Sequence, residues 1–233
     1  MHNKSKNINN NNNNNIRTVF LTLILSDISF PLTDPPPVST EVDVAFSISA
    51  NSVNNRQTFR LMKDTIAWII SNYGTEKLRY SVILFGNDAK IELDFDGGIS
   101  TPNKLIQFVQ ELPRRRGGPD VISALKEAKK VFESASARPN AWKVLVVITD
   151  KRSGSSLSDI EKAAEPLDEK GIKIVPVAVG GEADPSELEA TNPERFVITV
   201  PRTEEPKTLG KQIMEHVIRR KSILESCFRS EHV

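Results

Sequence analysis

Apolar residues fall into alternating strand-like and helix-like segments from Val42 onward. Short continuous apolar runs, typical of strands covered on both faces, occur in VDVAFSI, LRYSVILFG, WKVLVVITD and IKIVPVAVG. Between them, apolar residues recur at helical spacing, as in RQTFRLMKDTIAWIISNYG and DVISALKEAKKVFES. The run WKVLVVITD is the most continuous, so we expect it to lie in the centre of a sheet.

The connections between these segments predict the fold class. The segment AKIELDF follows LRYSVILFG after the short turn GND, which predicts an antiparallel pair of strands. The other strands alternate with helices, which requires right-handed crossovers between parallel strands. The sequence therefore predicts an α/β fold with a doubly wound, mostly parallel six-stranded sheet, one antiparallel edge strand and helices on both faces.

The chain divides by composition into three parts. Residues 1–40 hold an Asn-rich low-complexity stretch, an apolar leader and a Pro-rich linker, residues 41–221 form the predicted domain, and residues 222–233 are a C-terminal tail. The apolar run from Val19 to Leu25 is too short to span a bilayer but has the length of a signal-peptide core. Because the Asn run displaces it from the start, a signal peptide and a non-secretory leader both remain open.

Composition and charge exclude several classes of protein. Of the 233 residues, 38% are hydrophobic and 26% charged, which indicates a folded globular core. The net charge of +1 gives no overall field that would attract nucleic acid or a membrane. The single cysteine, Cys227, excludes a disulfide within the chain and fits either a reduced compartment or pairing with a partner.

Candidate chemistry is confined to one edge of the predicted sheet, because ligands of such sheets bind beyond the carboxyl ends of the strands. Three loops should meet there: Ser49 to Asn55, Arg114 to Asp120, and Asp150 to Ser156. The segment SISANSV after the first strand contains no glycine, which argues against a loop that holds a pyrophosphate. The three histidines of the chain lie outside these loops, so a nucleophile has no obvious base. We therefore expect a protein that is not an enzyme.

The order of elements resembles that of the von Willebrand factor type A domain family. Four segments also carry the resemblance: VDVAFSISANSV, RRRGGPDVISALKEA, WKVLVVITDKRSG and IKIVPVAVG. The resemblance covers roughly Val42 to Arg220. It implies the fold predicted above and an adhesion or protein-binding role. In many members of this family, Mg²⁺ binds at a metal-ion-dependent adhesion site, through an Asp-x-Ser-x-Ser loop, a Thr in a Gly-Gly loop and an Asp after the central strand.

This chain departs from that ligand pattern at most positions. The Asp-x-Ser-x-Ser loop falls on Ser49, Asn51 and Val53, the Thr falls on Pro119, and only Asp150 matches outright. Mg²⁺ requires hard oxygen ligands, usually with one or two carboxylates. The resemblance therefore implies a degenerate site without an essential metal or other cofactor. The alternative hypothesis is a Mg²⁺ ion bound by four residues: Ser49, Asn51, Asp120 and Asp150.

Cations surround the same place in the predicted fold. Arg114, Arg115 and Arg116 share a loop with Asp120, and Lys151 and Arg152 follow Asp150. A basic rim would disfavour a metal ion and attract an acidic ligand, although the same charges also fit ordinary solvated loops. The predicted ligand-binding face consists of Ser49, Asn51, Ser52, Arg114, Arg115, Arg116, Asp120, Asp150, Lys151 and Arg152.

The sequence thus predicts a non-catalytic module of cell adhesion or the extracellular matrix. Its expected partner is a matrix or cell-surface protein, with a sulfated glycan as a second candidate, and neither nucleic acid nor a stable membrane span is expected. The expected location is extracellular. A metal-dependent adhesion module and an intracellular scaffold domain of the same fold are the alternatives.

Overall fold

The computed structural model describes residues 40–50, 56–99, 101–115 and 117–230, with side chains described up to residue 218. The leader, most of the linker, Asn51, Ser52, Val53 and Arg116 therefore lie outside the described residues, as does the side chain of Cys227. Within the described part, six strands form one sheet: β1 (Val42–Ser49), β2 (Leu78–Phe85), β3 (Ala89–Leu93), β4 (Trp142–Thr149), β5 (Lys173–Val179) and β6 (Ile198–Val200).

Helices connect these strands in the described part of the chain. Their bounds are α1 (Arg56–Tyr73), α2 (Pro102–Glu111), α3 (Val121–Glu133), α4 (Leu157–Asp168), α5 (Pro185–Glu189) and α6 (Pro206–Ser230). Pro102 occupies the start of α2 after Thr101, as its fixed φ favours. The cap of α4 is Ser156, whose side chain accepts a hydrogen bond from the backbone N–H of Asp159.

The strand order is β3-β2-β1-β4-β5-β6, and only the β2–β3 pair is antiparallel. This arrangement confirms the predicted fold class, including the antiparallel edge strand and the central position of the WKVLVVITD run. The last strand, β6, is only three residues long, because its ladder with β5 begins at Ile198.

The two faces of the sheet bury separate apolar clusters. On β1, Val44, Phe46 and Ile48 face one cluster, which contains residues of α1, α2 and α6, while Ala45 faces the other, with residues of α3 and α4. This alternation follows from the period of two along a strand. All eight residues of β1 are buried, which explains why its sequence pattern predicts a strand covered on both faces.

An ion pair joins the amino ends of the strands. Asp43 on β1 is fully buried, and its carboxylate accepts hydrogen bonds from the backbone N–H of Arg138 at 2.7 Å and from Arg138 Nε at 2.8 Å. Arg138 Nη2 also donates to the carbonyl oxygens of Val42 and Lys77. The pair therefore ties the segment before β4 to the starts of β1 and β2. Among the described residues, no helix combines the length and apolarity needed to cross a membrane.

Candidate functional site

The candidate site lies at the carboxyl edge of the sheet, where β1 and β4 end side by side. The hydroxyl of Ser49, the last residue of β1, donates to Oδ1 of Asp150 across 3.5 Å. Both side chains are buried, with about 1% of each residue exposed. The parallel pairing of β1 with β4 brings these residues together although 101 positions separate them.

The carboxylate of Asp150 lacks a hydrogen-bond partner at one of its two oxygens. Its Oδ2 atom is buried and has no hydrogen-bond partner. Burial raises the pKa of the Asp150 carboxyl above its ordinary value, while its own backbone N–H and the charges of Arg202 and Lys151 oppose that rise. The negative charge of Glu182 adds a small further increase to this pKa. The site therefore holds a carboxylate that is costly to bury, next to Lys151 of its own loop and under the electrostatic influence of Arg202.

The loop from Arg114 to Asp120 is fixed to its neighbours by backbone hydrogen bonds. The N–H of Arg115 donates to the carbonyl of Ala50 at 3.1 Å, and that of Asp120 donates to the carbonyl of Gly86 at 2.7 Å. These bonds bring the loop to the ends of β1 and β2. The three predicted loops therefore converge, as far as their residues are described.

The turn between β2 and β3 also holds this loop. The side-chain oxygen of Asn87 accepts a hydrogen bond from the N–H of Gly118 at 2.7 Å. Gly117 adopts φ +107° directly against Asn87, and a side chain at this position would overlap that residue. Glycine is thus required here by both backbone conformation and close approach.

Asp120 has a structural role. Its Oδ1 atom accepts a hydrogen bond from the N–H of Ser123 at 3.1 Å, which caps the amino end of α3. Pro119, at the position of the family's Thr, is buried and has no side-chain oxygen. The sequence allowed Asp120 as a second carboxylate beside Asp150, but its oxygen instead satisfies the first turn of α3.

The loop after β4 is organised by Glu187 of α5, which the sequence did not point to. Glu187 is buried, with 3% of the residue exposed, and accepts hydrogen bonds from the backbone N–H groups of Ser153 at 2.7 Å and Gly154 at 2.9 Å. Arg152 Nε lies 3.3 Å from the same carboxylate, and the N–H of Arg152 donates to the carbonyl of Glu182. These contacts give the loop a defined shape.

The predicted basic rim is largely ion-paired. Arg115 lies 3.3 Å from Asp88, Lys151 lies 3.7 Å from Glu182, and Arg152 contacts Glu187. Arg115 and Arg152 thus pair with Asp88 in the β2–β3 turn and with Glu187 on α5. Arg114 is exposed. The local positive charge is therefore smaller than the sequence of the two loops indicates.

Arg202 and Glu182 complete this surface and were also missed by the sequence reasoning. Arg202 Nη2 donates to Oε1 of Glu182 at 2.6 Å. The two residues follow β6 and β5 within three positions, and parallel strands end at the same edge. Their positions just after two parallel strands could have placed them at this edge from the sequence alone. The predicted site, however, was limited to the loops that match the family's metal ligands.

The described donors do not fit a Mg²⁺ site of the family's type. At the corresponding positions, Ser49 and Asp150 supply one hydroxyl and one carboxylate, and Pro119 supplies no side-chain oxygen. Across the described residues, no group of three His, Cys, Asp or Glu side chains is arranged to hold a metal ion. One carboxylate with a neutral oxygen offsets the dehydration of Mg²⁺ poorly, and nearby cations disfavour the ion further.

Comparisons with known proteins identify the family. The profile of the von Willebrand factor type A domain matches residues 43–212, so the chain belongs to this family. The human collagen alpha-1(XX) chain is 28% identical over 157 residues, which cover 66% of this chain and 12% of the collagen chain. Mouse integrin alpha-X is 30% identical over 135 residues, covering 56% of this chain and 11% of the integrin. The chain thus spans only about a tenth of the length of these curated relatives.

A solved structure supports the fold. Proximal thread matrix protein 1 from the mussel byssus, with zinc in its metal-ion-dependent adhesion site, superposes with a TM-score of 0.68 at 18% identity. The match covers 77% of this chain and 48% of the mussel protein. Metal binding therefore occurs in a protein of the same fold, whereas the described donors of this chain differ from the family's set.

Proposed function

We propose that this chain is a non-catalytic protein-binding module of the adhesion or matrix type, and that it binds its partner at the carboxyl edge of the sheet without an essential metal. The observation that carries the proposal is the donor set at this edge. Asp150 is accompanied by the hydroxyl of Ser49, and Asp120 is used to cap α3. A partner would therefore be recognised by direct contacts with the loops.

The same geometry argues against catalysis. Ser49 and Asp150 are almost fully buried, and the hydrogen bond between them is long at 3.5 Å. A hydroxyl nucleophile needs a base within hydrogen-bond reach and access to its substrate. Neither condition is favoured here. Burial of Ser49 restricts access to its hydroxyl, and among the described residues that hydroxyl donates to the distant Oδ1 of Asp150, whose second oxygen is unsatisfied.

The ion pairs also refine the kind of partner. Arg115, Lys151 and Arg152 contact acids, so their charges are partly cancelled before a partner arrives. This reduces the support for a sulfated glycan, which would require a strong net positive surface. A protein surface recognised by shape and by hydrogen bonds to the loops fits better. The collagen and integrin relatives favour a partner in the matrix or on a cell surface, and an extracellular location.

Surface plasmon resonance over an immobilised extracellular-matrix extract tests this proposal. The purified chain should bind in EDTA, and Arg114→Glu at the carboxyl edge should weaken binding. Arg79→Glu is the matched control, because Arg79 is an exposed arginine at the start of β2 and therefore at the opposite edge. Binding lost in EDTA, or weakened equally by both substitutions, would contradict the proposal.

A further inference from the structure

We propose that a groove beside α4 is a second binding site, which takes a short Lys- or Arg-rich stretch of a partner protein. One wall of this α4 groove is α4 itself, and the other is formed by residues 190–195 of the segment that joins α5 to β6. The groove is lined by these two elements rather than by the loops of the binding face. The inference therefore goes beyond the proposed function and does not depend on it.

The α4 groove has the volume and the length of a peptide site. Its volume is about 410 Å³, within the range of ~300–1,000 Å³ that is usual for ligand pockets. Along α4 the lining runs from Ser158 to Asp168, and a rise of ~1.5 Å per residue gives this wall a length of about 15 Å. An extended chain covers that length with about four or five residues. A short peptide therefore fits the groove better than a single side chain does.

Small and buried residues form the floor of the groove. Ala164 and Ala190 line it, and their short side chains leave the space above them open. Asn192 lines it as well, and its Nδ2 atom donates to the carbonyl of Phe196. The Oδ1 atom of Asn192 is buried and accepts no hydrogen bond from the described residues. An acceptor without a donor is costly, so a ligand rich in N–H groups is favoured here.

Both cations of the groove rim already have acidic partners. Arg195 pairs with Glu161 across the groove, and Lys162 lies 3.8 Å from Asp159, which is not a lining residue. The backbone of Arg195 has φ +52°, which is uncommon for a residue with a side chain, and such strain is found at functional sites. The two pairs cancel the positive charge of the rim.

Glu165 and Asp168 supply negative charge that is not cancelled. Both residues are exposed on the α4 wall, and no ion pair among the described residues involves either of them. Lys173 lines a small adjoining cavity together with Asp168, but its Nζ atom pairs with Glu194 at 3.4 Å. Residues three positions apart lie on the same side of a helix, so the two carboxylates point the same way. A peptide with two positive side chains complements them.

NMR titration of the isotope-labelled chain with two pentapeptides tests this proposal. The basic probe is acetylated and amidated Gly-Arg-Gly-Arg-Gly, and the neutral probe carries glutamine in place of both arginines. We expect the basic probe to shift mainly the amide signals of residues 158–168 and 190–195, and added salt to weaken its binding. Shifts spread over exposed acids elsewhere, or an equal response to both probes, would overturn the proposal.

Paired substitutions test the two carboxylates. Glu165→Gln combined with Asp168→Asn should weaken binding of the basic probe about fivefold, the combined effect of two exposed ion pairs. Glu76→Gln combined with Asp96→Asn is the matched control, because it removes the same charge from exposed positions before β2 and after β3. This control should change the dissociation constant by less than about twofold, since distant exposed charges are screened. Equal weakening by both combinations, or none by the first, would refute the inference.

Two further controls complete the test. All four substitutions are at exposed positions, and the amide spectrum shows whether each variant is folded. If the first combination is unfolded, Glu165→Gln alone replaces it and must weaken binding about twofold, as expected for one exposed pair. The diamine putrescine carries the same charge as the basic probe but cannot fill the groove with a backbone, so it should bind more weakly. Equal affinity for putrescine would overturn the assignment to a peptide.

Discussion

Removing Arg138 should destabilise the fold more than any exposed charge substitution. Asp43 is fully buried, and the Arg138 side chain is 14% exposed. Breaking a buried ion pair by deleting one partner costs about 3–5 kcal/mol, because the remaining charge is left without compensation. In Arg138→Ala the backbone N–H still donates to Asp43 Oδ2 at 2.7 Å, so we expect the lower end, about 3 kcal/mol.

This cost is measurable by urea unfolding followed by circular dichroism, and as a fall in the melting temperature of about 6–12 °C for a domain of this size. Arg60→Ala is the matched control, because Arg60 forms an exposed pair with Asp64 one helical turn away, and it should cost less than about 0.5 kcal/mol. Adding Asp43→Asn to Arg138→Ala should recover at least about 1 kcal/mol, because no buried charge remains. A loss below about 1 kcal/mol for Arg138→Ala, or no recovery, would refute the reasoning.

Substitutions at three further positions test other parts of the structure. Glu187→Ala should cost about 2 kcal/mol and speed hydrogen exchange of the amides in the loop after β4, whereas Glu187→Gln, which keeps an acceptor oxygen, should cost less. Gly210→Ala should lower the free energy of unfolding by about 1 kcal/mol or more, because overlap of the new Cβ atom with the Trp68 ring outweighs the gain in helix propensity. An unchanged melting temperature would contradict this prediction. Burial raises the pKa of the Tyr80 hydroxyl, so its ionisation favours the unfolded chain. The free energy of unfolding should therefore fall as pH rises above about 10, and Tyr80→Phe should make that fall shallower. An unaltered pH profile of unfolding in Tyr80→Phe would argue against this role of Tyr80.

Most of the fold could be predicted from local patterns of apolar and polar residues in the sequence. WKVLVVITD is apolar at nearly every position because β4 is covered on both faces, and the turn GND marked the antiparallel pair. The start of α4 could not be fixed in the same way, because both Ser156 and Ser158 suit a helix start and only the backbone path selects Ser156 as the cap.

The candidate site was readable in part. The convergence of loops at Ser49 and Asp150 follows from parallel topology, which the sequence predicts. Glu187 on α5 accepts hydrogen bonds from the loop after β4, and Arg202 after β6 pairs with Glu182 after β5. Nothing in local spacing determines such pairings. Asp120 shows the same limit, because a carboxylate beside a predicted metal position is also an ordinary helix cap.

The comparison of matrix binding in EDTA and in Mg²⁺ tests the central claim most directly. The purified chain is passed over an immobilised extracellular-matrix extract in each buffer at equal ionic strength, and the dissociation constants are compared. Because Ser49 and Asp150 form a poor donor set for Mg²⁺, we predict equal constants within about twofold. Binding that requires Mg²⁺ and disappears in EDTA would contradict the account.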